Sequence, residues 1–158
     1  MKKVMYLLAT LIIGGLMVTG CKKTEPTPTP TPTPEKIEYK ILNTDGNHTI
    51  SPCFKLDVTY LDANGQSVTE TNITLPWSKT FEVNFPFHAK MEGTFSYDEA
   101  ELPEEIVLGC SRGIGAYTNG TLHIEMNDKY STFHSKEKFL NTIAEHPELL
   151  KFTEKKDF

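Results

Sequence analysis

Apolar and polar side chains alternate strictly along much of the middle of this chain. Phe54, Leu56, Val58 and Tyr60 fall on one side of an extended backbone, and Lys55, Asp57 and Thr59 on the other. That period of two is the mark of a half-buried strand. Asn64-Gly65 follows, a pair that tolerates positive φ and so turns one strand back on the next. The alternation resumes at Ile73, Leu75 and Trp77, and runs on through Phe81, Val83, Phe85, Phe87, Ala89, Met91, Gly93, Phe95 and Tyr97. All of these positions are odd, so the ribbon is expected to keep one face inward past Pro86. A proline lacks the N–H a central strand needs, so Pro86 marks an edge or a corner where the ribbon changes sheets.

Ile37 to Leu42 and Ile106 to Tyr117 read as further strands, and Asn119-Gly120 introduces another hairpin in which Leu122, Ile124 and Met126 alternate with His123 and Glu125. Near the C-terminus the period changes. Ser135 is placed to cap a helix whose face carries Phe139, Leu140 and Ile143, and His146-Pro147 ends it. A last short strand is expected over Leu149 to Thr153. The pattern as a whole predicts a mainly β domain over residues 36–158, an immunoglobulin-like β-sandwich of about seven strands with a short C-terminal helix and a final strand.

The N-terminal segment is different in kind. Lys2 and Lys3 precede an apolar run from Val4 to Val18, then Thr19-Gly20-Cys21. The run is shorter than the roughly 20 residues that span a bilayer and contains Gly14 and Gly15. It reads as a secretory signal peptide, residues 1–20, and the cysteine after small residues resembles a bacterial lipobox. The resemblance implies cleavage after Gly20 and lipid attachment, with palmitate-type chains, at Cys21. Residues 21–35 then form a linker in which Pro and Thr alternate from Pro26 to Pro34. Alternating prolines favour polyproline II, so about a dozen such residues make a spacer of roughly 35–40 Å at ~3.1 Å per residue.

Loss of residues 1–20 removes Lys2 and Lys3 and takes the formal charge from −5 to −7. Arg112 is the single arginine. Nucleic acid is excluded as a partner, because phosphate binding needs clustered cations. With Cys21 lipidated, Cys53 and Cys110 remain, in a compartment that permits disulfides. A bridge closing 57 residues contributes roughly 4 kcal/mol in the chain-entropy model. Two separate buried thiols fit the sequence equally well.

Tyr60-Leu61-Asp62-Ala63-Asn64-Gly65, then Leu75-Pro76-Trp77-Ser78-Lys79 and the phenylalanine-rich strand after it, resemble the core of the mycobacterial MmpS transport-accessory proteins. The same order of motifs is similar to small lipoproteins of the Bacteroidales. The resemblance covers Phe54 to Met91 and implies an immunoglobulin-like sandwich without catalytic residues. In the MmpS case it also implies an exported domain that assists an exporter. This chain departs from that pattern in having a lipobox instead of a membrane-spanning helix, and in its C-terminal helix and last strand.

Candidate chemistry is sparse. Gly109-Cys110-Ser111-Arg112-Gly113 matches the G-x-S-x-G nucleophile elbow, with Asp128, His134 and His146 following. That motif requires a sharp strand-to-helix turn, and Ile114-Gly115-Ala116-Tyr117 does not begin a helix. His48, His88, His123, His134 and His146 show no zinc-ligand spacing, although His123 and Glu125 share a strand face. Asp98, Glu99, Glu101, Glu104 and Glu105 lack the order of a calcium loop. No catalytic residue, metal or cofactor is assigned. The expectation is a non-enzymatic lipoprotein of the cell envelope, held in the membrane by Cys21. Lys22, where Asp would signal inner-membrane retention, favours the outer membrane. Its sandwich binds an envelope protein or glycan. The alternative is an accessory or inhibitor protein for an envelope transporter or secreted hydrolase.

Overall fold

A computed structural model of the chain describes residues 36–158. The expected signal peptide, Cys21 and the Pro-Thr linker lie outside the described residues. Among the described residues nine strands and one α-helix are present, in the order β1 Lys36–Leu42, β2 Phe54–Leu61, β3 Ser67–Glu70, β4 Trp77–Glu82, β5 His88–Tyr97, β6 Ile106–Thr118, β7 Thr121–Ile124, β8 Asn127–Phe133, α1 Lys136–Glu145 and β9 Lys151–Asp157. They form a β-sandwich of two antiparallel sheets. One has the order β4-β1-β6 with β7 and β8 on the far side of β6, and the other is β3-β2-β5-β9.

The odd-numbered ribbon behaves as its pattern requires. From Ile73 to Tyr97 the odd positions are buried or half-buried, while the even positions are exposed apart from half-buried Lys90 and Glu92. The ribbon serves both sheets. β4 pairs with β1, β5 pairs with β2, and the crossover between them passes through Phe85-Pro86. Pro86 therefore sits at a corner, where its missing donor disturbs neither ladder. Ile73 and Leu75 precede β4 and pack against the core from a loop instead of extending that strand.

β7 and β8 were not foreseen as one edge. Their partners on β6 lie in a single register, Gly115 opposite Ile124 and Arg112 opposite Asn127. The two strands are therefore one long return arm interrupted at Glu125-Met126. Glycines on β6 permit this close crossing. A Cβ at Gly113 or Gly115 would lie 2.4 Å from the Glu125 carbonyl oxygen or 2.6 Å from the Ile124 Cβ, and Gly109 has φ +140° with the Lys129 carbonyl oxygen 2.0 Å from where its Cβ would be. Leu122, Ile124 and Met126 lie half-buried on the outer side of this sheet, the face Gly113 and Gly115 share with them by register, and not in the core between the sheets.

The core itself joins Ile37, Tyr39 and Ile41 of β1 to Val58, Met91, Ile106 and Cys110, all fully or almost fully buried. α1 closes one end. Ser135 caps it by accepting from the Lys138 N–H at 3.2 Å. Its Phe139, 0% exposed, packs edge-on against Phe54, Tyr97 and Phe133 at 5.0–5.8 Å between ring centres. β9 begins two residues later than expected and extends to Asp157, and Phe158 still exchanges backbone hydrogen bonds with Phe87.

Candidate functional site

The two long edges of the sandwich are built differently. Along the β3/β4 edge the sheets are tied by Glu70, whose carboxylate accepts from the Tyr60 hydroxyl at 2.8 Å and the Trp77 indole N–H at 3.1 Å, and pairs with Lys79 at 2.9 Å. Tyr60 stacks obliquely on Trp77 and Phe81, and Tyr39 donates to the Leu61 carbonyl at 2.8 Å. The Leu-Pro-Trp-Ser-Lys motif thus supplies a latch. Trp77, 8% exposed, is core material and not a ligand platform. Three donors hold Glu70 below the ordinary carboxylate range, Lys79 contributing most, while burial pushes Tyr39 and Tyr60 up to about 12.

The β8/β9 edge is split. Between the two strands lies a cleft of about 670 Å³, with Phe95, Leu108 and Phe152 at its apolar floor. Arg112 projects from β6 into this gap and is only 5% exposed. Its Nε donates to Glu154 of β9 at 2.9 Å and its Nη1 to the Cys110 carbonyl at 3.3 Å. Its guanidinium carbon lies 4.6 Å from the centre of the Phe152 ring. Asn127 of β8 completes the bridge by donating to the other Glu154 oxygen at 2.8 Å. Gly93 makes room for this arrangement, because a Cβ there would overlap the Phe152 ring. The buried ion pair is therefore a cross-sheet tie in a cleft that remains open on either side.

The walls of the cleft are polar. Lys129 and Ser131 stand on the β8 side, and Lys151 and Thr153 on the β9 side. Tyr130 stacks on His48 at 5.3 Å between ring centres. Among the described residues its hydroxyl is buried without a hydrogen-bond partner, and the register opposite Gly109 puts Tyr130 on the outer face of the sheet. Burial pushes it up to about 12.

Residues singled out by the sequence motifs are dispersed. Ser111 lies in mid-strand, 2% exposed, with no turn into a helix beside it. Asp128 is its register partner, whereas His134 stands near Glu105 at 3.9 Å and His146 bonds Glu148 at 3.1 Å. His123 and Glu125 are exposed on the return arm, and among the described residues no group of three or more His, Cys, Asp or Glu is placed to hold a metal ion. Asp98 caps a short 3-10 turn at Glu99–Glu101, so the acidic run is a solvated loop there. Among the described residues Cys53 and Cys110 are both buried and without a disulfide partner. Burial raises the Cys53 thiol and pushes Cys110 up to about 11, which leaves both in the unreactive protonated form at neutral pH.

The cleft was missed at the sequence level, although one signal was visible: a lone arginine in an otherwise glycine-rich and apolar strand, where a charge must find a buried partner. Among the described residues no helix is long and apolar enough to cross a membrane. No family model matches the chain, and no curated protein matches it either.

Proposed function

We propose that this chain is a non-enzymatic lipoprotein of the cell envelope, tethered to the outer membrane through Cys21, whose sandwich binds another envelope component in the cleft between β8 and β9. The observation that carries the reading is the contrast between the two edges. One is latched by Glu70, and the other leaves a concave, mixed polar and apolar space with a buried arginine at its floor. Clefts lined by apolar groups with a few fixed polar ones are where ligands bind. The lipobox and the Pro-Thr spacer support the placement, since they hold the domain clear of the headgroups. An accessory or inhibitor role for a transporter or hydrolase uses the same cleft and differs in what occupies it.

The test is photo-crosslinking in intact cells from a reactive side chain placed at Lys129 or Thr153, with Lys55 on β2, which does not line the cleft, as control. The expected result is a protein or glycan adduct from the two cleft positions alone. Adducts from Lys55 only, or a turnover that depends on Ser111, would overturn the reading.

A further inference from the structure

We infer that the occupant of the cleft is an extended, acidic peptide segment of a partner protein, which adds as a strand between the free edges of β8 and β9. This rests on the binding reading above and narrows it to one class of ligand.

The backbone directions carry the argument. Phe87 and Phe158 exchange both of their hydrogen bonds, at 3.1 and 3.0 Å, so they form a bonded pair of the β5/β9 ladder. Bonded and non-bonded pairs alternate in an antiparallel ladder. Phe152, Glu154 and Lys156 therefore bond inward to β5, and Lys151, Thr153 and Lys155 turn their N–H and C=O groups toward the free edge. On the opposite wall the Val107 N–H and carbonyl both engage Ser51, away from β8. The same alternation makes Ile106, Leu108, Cys110 and Arg112 the bonded partners of β8, and leaves the backbone groups of Asp128, Tyr130 and Thr132 facing outward. Two rows of unused donors and acceptors thus flank one gap. A peptide backbone satisfies such rows, whereas a glycan has no matching repeat.

Charge selects the side chains. Setting aside Glu25 and Glu35, and Lys2, Lys3, Lys22 and Lys23, residues 36–158 hold nineteen acidic and twelve basic residues. Around this edge the balance reverses. Arg112, Lys129, Lys151, Lys155 and Lys156 stand against Glu125, Asp128, Glu148 and Glu154. Lysines on a free edge also discourage self-pairing of identical chains, and an acidic strand converts that guard into contacts. Arg112 commits two of the five N–H groups of its guanidinium to Glu154 and Cys110, and the remaining donors suit a carboxylate-bearing chain.

The experiment is selection of a random decapeptide display library on the full-length, lipidated chain in detergent. Enriched peptides are expected to carry Asp or Glu at alternate positions, and their synthetic forms to slow amide exchange at Tyr130, Thr153 and Lys155. Thr153→Pro removes one free-edge N–H without touching the β5 ladder, and is expected to weaken binding at least tenfold. Lys151→Glu combined with Lys155→Glu, which leaves the core untouched, is expected to do the same and to shift the selection toward basic peptides. The inference is overturned if no sequence is enriched, if binding ignores both variants, or if oligogalacturonate binds at the cleft in place of peptides. Cleft adducts in cells together with any of these outcomes would leave the binding reading standing and remove only the peptide strand.

Discussion

The Arg112–Glu154 tie offers the sharpest test of how the split edge is held. Arg112 and Glu154 side chains are 6% and 15% exposed and 2.9 Å apart. Removing one partner of such a pair leaves a charge buried without compensation, at a cost of about 3–5 kcal/mol. Glu154→Gln is expected near the lower end, about 3 kcal/mol, because the amide oxygen can still accept one bond from Arg112 while the positive charge stays buried. Arg112→Met is expected to cost about as much, through the stranded carboxylate and the lost contact with Phe152. For a domain of 123 residues, 3 kcal/mol corresponds to a fall in Tm of roughly 10–15 °C. The double variant Arg112→Met with Glu154→Leu should recover to within about 1 kcal/mol of the parent, since apolar replacement of a buried pair is often neutral. Urea unfolding of the parent, Arg112→Met, Glu154→Leu and the double variant, followed by Trp77 fluorescence, gives the coupling energy directly. A double variant whose loss equals the sum of the singles would refute the claim that the two charges act as a unit across the sheets.

The Glu70 latch predicts acid sensitivity. Its carboxyl is held below the ordinary value of 4.5 in the folded chain, so its contribution is full above pH 4.5 and lost as pH falls through the lowered folded value. The difference in urea midpoint between the parent and Glu70→Gln should be present at pH 7 and shrink toward zero well below pH 4.5. A difference that persists in strong acid would contradict it. Tyr39, Tyr60 and Tyr130 work in the opposite direction: raised to about 12 from 10.0, they contribute below pH 10 and lose that contribution as pH rises through 12, so absorbance titration should show three late tyrosines coupled to alkaline unfolding. For the cysteines, thiol titration of the lipidated chain without reductant should give no reaction in the native state and two thiols, Cys53 and Cys110, in denaturant, whereas a disulfide would give none in either. Cys21→Ser should abolish incorporation of labelled palmitate and move the protein from the detergent phase to the aqueous phase, and retention of label would refute the lipobox reading.

Much of the architecture was legible from local pattern. Period-two alternation marked β2, β4 and β5 because a strand's two faces see core and solvent in turn, and Pro86 in the unbroken odd series implied an edge or a corner, of which the fold has the corner. The cap at Ser135 and the face of Phe139 and Ile143 were visible for the same reason, since a helix end and a helix face are decided within a few residues. β8 escaped because Asn127–Phe133 is mostly exposed at an edge, so no burial is written into its sequence. Leu122, Ile124 and Met126 were correctly read as sharing a face, yet which face could not be known without the glycines of β6 that let the return arm cross closely.

By itself the sequence determined that residues 36–158 form strands with one buried face, that they end in a helix and a final strand, and that an apolar run and a Pro-Thr stretch precede them. Each of these follows from spacing and backbone preference over short stretches of chain. Tertiary structure alone decided which strands share a sheet, that Glu70 closes one edge, and that Arg112 meets Glu154, 42 residues away, across a cleft at the other. Those outcomes depend on contacts between segments far apart in the chain. No local periodicity encodes them, because the free energy that selects them comes from desolvating a charge and pairing it with one particular partner.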